Sequence, residues 1–116
     1  MRHWIDADRL NLTMDEAKAK HELALQPGSC LRIAKNDRFH YFARTMTGWR
    51  TITQDQYRGD GHLYIVTVTN ADLESTYQRK TRAIDVDAAR DYATVMYRCV
   101  TNDQRPITTS TRRIDS

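Results

Sequence analysis

Between Arg38 and Arg50 the chain interleaves guanidinium, imidazole and aromatic side chains: Arg38, His40, Phe42, Arg44, Trp49 and Arg50, with Tyr57 and Arg58 a short way on. Side chains spaced by two on a strand share one face of a sheet, so Arg38, His40, Phe42 and Arg44 would stand in one row. Two kinds of recognition use such a mixture. Single-stranded nucleic acids stack bases on rings and give phosphates to guanidinium groups. Protein interfaces take Arg, Trp and Tyr as anchors. The plainer alternative is a core of rings with arginines on the surface.

A second basic cluster, Arg79, Lys80 and Arg82, leads into the last helix. His40 and His62 sit in similar surroundings, His40-Tyr41-Phe42 and His62-Leu63-Tyr64. Two imidazoles on neighbouring strands would suit acid and base catalysis of RNA cleavage, a third reading after protein and nucleic-acid binding. No catalytic residue is assigned. His3, His21, His40 and His62 lack the spacing of zinc ligands, and Asp55 and Asp60 lack the alternate-oxygen spacing of a calcium loop, so neither metal nor cofactor is expected. The chain carries no P-loop, dinucleotide fingerprint or G-x-S-x-G.

Behind these residues stand 116 positions, enough for one modest core. Net charge is +3, with pI near 9.0 and mean hydropathy −0.74. That excess is small for a dedicated duplex binder. Its arginines concentrate between Ser29 and Thr69 and again at Arg79 to Arg82. The opening MRHWIDADRLNL has charges throughout and no apolar run, unlike a secretory signal or membrane anchor. A cytoplasmic location without membrane association is the expectation. Cys30 and Cys99, far apart, read as small hydrophobes.

The elements that must position these residues are read from pattern. Thr13 to Glu16 matches a capping box and predicts a helix from Met14 to about Leu25, ended by Pro27-Gly28. Ahead of it, Trp4 and Ile5 could anchor a short edge strand. Lys35-Asn36-Asp37-Arg38 predicts a two-residue hairpin pairing Leu31 with Phe42 and Ile33 with His40. Thr47-Gly48 marks a second turn, 55–61 a longer loop, and His62 to Thr69 a strand alternating Tyr64, Val66 and Val68 against Leu63, Ile65 and Thr67. Segment 70–83 is polar and ambiguous. Val86, Ala89, Ala93, Met96 and Val100 form the stripe of a second helix, widened by Tyr92 and Cys99.

The expected fold is α+β: an antiparallel sheet of three to four strands between an N-terminal and a C-terminal helix (α-β-β-β-β-α). Residues 1–100 form a single domain and 101–116 a polar, flexible tail. The order helix, strands, helix with basic residues before the last helix is similar to that of double-stranded RNA-binding domains. Their glycine- and lysine-rich signature is absent, and Asp85 and Asp87 occupy the helix start. On the pairing above, Phe39, Tyr41, Ala43, Ile52, Tyr64 and Val66 should face the helices. Arg38, His40, Phe42, Arg44 and Trp49 should stand open. The function expected is a non-enzymatic accessory or inhibitor protein, of the kind small phage and mobile-element proteins provide, with a protein as first choice of partner and single-stranded nucleic acid or RNA as second.

Overall fold

A computed structural model describes residues 2–70, 72 and 75–115 and is α+β, with helices and two sheets of four and three strands. Its contacts gather into two compact units, Met1–Gly59 and Asp60–Ser116. Among the described residues no helix is long and apolar enough to cross a membrane.

In the first unit β1 (Arg2–Asp6) leads through α1 (Met14–Glu22) to β2 (Cys30–Lys35), β3 (Arg38–Arg44) and β4 (Trp49–Thr51), and α2 (Gln54–Arg58) closes it. The sheet order is β1-β2-β3-β4, with β1 parallel to β2 and the other pairs antiparallel. Asn36 and Asp37 both take positive φ, 56° and 59°, as a two-residue hairpin turn requires. The predicted pairs Leu31 with Phe42 and Ile33 with His40 therefore form. The next turn is wider than the Thr47-Gly48 reading: Arg44 pairs with Trp49, and the Thr45 amide donates to the Gly48 carbonyl at 2.9 Å. That widening shifts the register by an even number of residues, so no side chain changes face.

Helix α1 opens as predicted. The Glu16 amide donates to Thr13 Oγ1 at 3.1 Å, and the Thr13 amide to Glu16 Oε1 at 3.0 Å. It ends at Glu22, short of Leu25. Ala17 and Leu25 then pack with Ile5, Ala7, Leu31, Ile33 and Phe42 as the core of this unit. Leu31 and Ile33 are fully buried, each worth about 1.5–3 kcal/mol of transfer free energy.

The second unit runs β5 (His62–Asn70), β6 (Ser75–Ala83), α3 (Val86–Thr101) and β7 (Thr108–Arg113), with β5 central in the order β6-β5-β7. Gly61, at φ 71°, enters β5 where a Cβ would collide with the Ala83 carbonyl. Asp85 caps α3 by accepting the Ala88 amide at 2.9 Å, and Asn102 ends it in the left-handed region at φ 55°. Tyr64, Val66 and Val68 from β5 pack against Ala89, Ala93 and Tyr97, where the alanines allow helix and sheet close approach.

The expected single sheet is thus two sheets with separate cores. The loop 55–61 contains α2, whose Thr53 and Gln56 form a second capping box. Segment 70–83 supplies β6, its positions 71, 73 and 74 lying outside the described residues. Within the expected tail, 108–113 is a strand that pairs along β5 from Thr69 with Thr108 to Tyr64 with Arg113. Its residues, TTSTRR, carry no apolar alternation, so backbone pairing places it rather than burial. On α3 the buried face runs through Ala88, Ala89, Ala93 and Tyr97, leaving Val86 and Val100 of the predicted stripe exposed.

Candidate interaction face

Register sorts the first sheet into two faces. On one, His3 and Ile5 of β1 neighbour Leu31 and Ile33, which neighbour Phe42 and His40 of β3, with Thr51 beside Phe42 and Trp49 beside Arg44. Helix α1 covers this face through Ala17, and Trp49 packs against the same core. Phe42 is only 8% exposed. The face expected to stand open is therefore the covered one. The misassignment has a physical origin: Tyr64 and Val66 weighted the Phe39 and Tyr41 face as the apolar one, but they belong to the second sheet and its own core.

Several residues expected as contacts are occupied inside the first unit. Arg44 donates from Nε to the Glu22 carbonyl at 2.9 Å, and from Nη1 to the carbonyls of Thr45 at 2.6 Å and Gly48 at 3.0 Å. Its guanidinium also lies 5.8 Å from the Trp49 ring, so it ties the end of α1 to the β3–β4 turn. Lys18 Nζ stands 4.2 Å over the Phe42 ring. Tyr57 is buried, its hydroxyl donating to the His3 carbonyl at 2.7 Å, and burial pushes its phenol pKa up. His40 is half-buried opposite Ile33, and Arg38 is exposed at the hairpin end. Arg50 lies opposite Ala43, and Arg58 is exposed, its carbonyl accepting from Arg2 Nη1 at 2.9 Å.

The opposite face of this sheet carries a different set. Trp4 neighbours Arg32 across the β1–β2 pair, Arg32 neighbours Tyr41 across β2–β3, and Phe39 stands beside Ala34. The Arg32 guanidinium lies 4.4 Å from the Phe39 ring and 6.0 Å from that of Tyr57, while Tyr41 and Tyr57 meet at 5.3 Å between centroids. Trp4 is 68% exposed and Phe39 53%. Helix α2 covers part of the face with Tyr57, and Ile52 and Ala43 are buried. What remains open is Trp4 and Phe39, set diagonally across three strands with the half-buried Arg32 between them. Trp4, Arg32 and Phe39 were missed as site residues; Trp4 and Arg32 are neighbours only because β1 joins the sheet in parallel.

In the second unit the predicted basic cluster divides between the two faces of β6. Arg79 turns to the helix side, 5.3 Å over the Tyr92 ring and donating to the Tyr77 hydroxyl at 3.4 Å. Lys80 and Arg82 are exposed on the other side. His62 meets Tyr64 edge-on and lies 3.8 Å from Asp115. His40 belongs to the first unit and His62 to the second, so neither sheet by itself presents the expected pair of imidazoles. Cys30 is buried and Cys99 exposed. Among the described residues no group of His, Cys, Asp and Glu could hold a metal ion.

Asp103 forms the densest polar cluster of the second unit. Its carboxylate accepts from the Arg105 amide at 3.0 Å, from Arg105 Nε at 3.1 Å, from the Tyr97 hydroxyl at 2.9 Å and from the Asn70 side-chain amide. These donors, the Arg105 amide foremost, hold its pKa far below the usual carboxylate range against the opposing effect of burial. The arrangement joins the ends of β5 and α3 and has the character of a structural brace.

Compared with protein-family models, with curated proteins and with solved structures, the chain finds no match.

Proposed function

We propose that the chain is a non-enzymatic accessory or inhibitor protein that docks on a protein partner through the Trp4, Arg32 and Phe39 face of its first unit. The observation that carries this reading is the exposure of Trp4 and Phe39 on either side of a guanidinium already held against a ring. Interfaces concentrate their energy in a few Trp, Tyr and Arg residues at a water-excluding centre. A preordered arginine loses little side-chain freedom on binding, which lowers the cost of association. The same geometry disfavours single-stranded nucleic acid at this face: a guanidinium stacked between Phe39 and Tyr57 is directed at rings, and Asp6 adds a carboxylate to the strand that carries Trp4. A cytoplasmic setting, in which Cys30 and Cys99 stay reduced, belongs to the same proposal.

The test is affinity capture after nuclease treatment, with the wild-type chain and the Trp4→Ala/Phe39→Ala variant side by side. The wild type should retain a protein at stoichiometric yield, and the variant should lose it. Equal retention by both would refute the assignment of the face.

A further inference from the structure

Within the second unit α3 packs on the Tyr64, Val66 and Val68 face of the sheet, and among the described residues no helix of that unit packs on the other face. The register there places Arg82, Lys80, Gln78 and Thr76 on β6 beside Leu63, Ile65, Thr67 and Thr69 on β5. On the far side of β5 stand Arg112, Ser110 and Thr108 of β7. Lys80, Ile65 and Arg112 thus form one row across the sheet. By strand spacing the two cations stand about 10 Å apart, and Lys80 and Arg82 about 7 Å apart along β6. Among the described residues Asp87 and Asp91 pair with Arg90 on α3, Asp103 pairs with Arg105 beyond it, and Asp60, Asp72 and Asp85 lie in connections outside the strands. Asp115, at the end of the face, lies 2.9 Å from Arg113 Nε and 3.9 Å from Arg82 Nη1. Lys80 and Arg112 are exposed, and among the described residues neither has an ion-pair partner.

We infer that this face binds the phosphate backbone of double-helical nucleic acid, as a second interaction surface beyond the protein-docking face. Charge complementarity carries the choice of occupant. The strand positions of this face hold cations, hydroxyls, an amide and the half-buried Leu63 and Ile65, and none holds a carboxylate. Hydroxyl, amide and guanidinium groups are the side chains that contact phosphate and sugar oxygens. No aromatic ring stands at these positions to stack an unpaired base, which removes the single strand as the preferred form. Nor is there a Trp or Tyr anchor of the kind that centres a protein interface. Contacts confined to the backbone make binding weak, independent of sequence and dependent on salt.

The experiment is fluorescence anisotropy of the full chain with a labelled 20-base-pair duplex of arbitrary sequence and with one of its strands alone. With two to three phosphates neutralised, affinity for the duplex should fall roughly 10- to 40-fold between 50 and 200 mM salt. Lys80→Glu/Arg112→Glu should weaken binding about tenfold or more, and Lys80→Gln/Arg112→Gln should reduce the salt dependence while leaving the fold intact by circular dichroism. Arg79→Gln, on the helix side, should bind as the wild type does. Trp4→Ala/Phe39→Ala should also leave duplex binding unchanged, so this proposal and the protein-docking face can fail separately. No duplex binding at 50 mM salt, binding indifferent to the Lys80 and Arg112 variants, or tighter binding of the single strand would each overturn the inference.

Discussion

Two phenylalanines three positions apart on β3 divide the roles of the first sheet. Phe42 lies in the core with Leu31, Ile33 and Ala17, while Phe39 is more than half exposed beside Arg32. Truncating Phe42 empties packed volume, so Phe42→Ala should cost about 3–5 kcal/mol in urea unfolding. Phe39→Ala, which loses an exposed ring contact with a cation, should cost under about 1 kcal/mol. Asp103 supplies a second residue-scale expectation. Its folded pKa is depressed, so its stabilisation is complete above the unfolded value near 4 and is lost as pH falls through the folded value. Asp103→Asn should therefore be less stable than wild type at pH 7. Its urea midpoint should also fall less than that of the wild type between pH 7 and pH 3. Parallel decline of both proteins would remove Asp103 as the cause.

Among the elements, the short helix α2 connects local sequence to the candidate face most directly. Thr53 accepts the Gln56 amide at 3.1 Å, and Gln56 Oε1 accepts the Thr53 amide at 3.0 Å, which sets the helix start. From there Tyr57 reaches the His3 carbonyl and places its ring beside Tyr41 and Arg32. Thr53→Ala should cost about 1 kcal/mol in urea unfolding, and by loosening Tyr57 it should weaken partner binding even though Thr53 is not part of the docking face. Unchanged stability would show that the cap does not hold α2.

The two capping boxes were unequally legible. Thr13 to Glu16 opens a helix long enough to show alanines and opposite charges, Glu16 and Lys20, at i, i+4. Thr53 to Gln56 has the same offset but opens a helix of five residues, too short for any periodicity to add support. Hairpin β2–β3 was legible through Asn36-Asp37 because turn chemistry is local. Strand β7 was not, since its threonines and arginines bury no alternate face and its partner β5 is distant in sequence.

At the scale of the molecule, the α+β class follows from local pattern, but the division into two units does not. Both units contain antiparallel strands and an apolar helix face, and nothing in the alternation of His62 to Thr69 says which sheet that strand joins. Assigning it to the first sheet added Tyr64 and Val66 to the wrong side and reversed the reading of Phe42 and Trp49. The partnership of Trp4 with Arg32 was equally hidden, because a parallel edge strand leaves no turn signal between the paired segments. The candidate surfaces on both units are sheet faces, and each depends on register rather than on a motif.

The most direct test of the docking face is isothermal titration of a purified partner, obtained by capture, against wild-type chain and Trp4→Ala/Phe39→Ala. Loss of two exposed anchors should weaken binding by at least about 2 kcal/mol, some thirtyfold in Kd, while the unfolding midpoint stays near that of the wild type. Affinity equal to wild type in the folded variant would contradict the account.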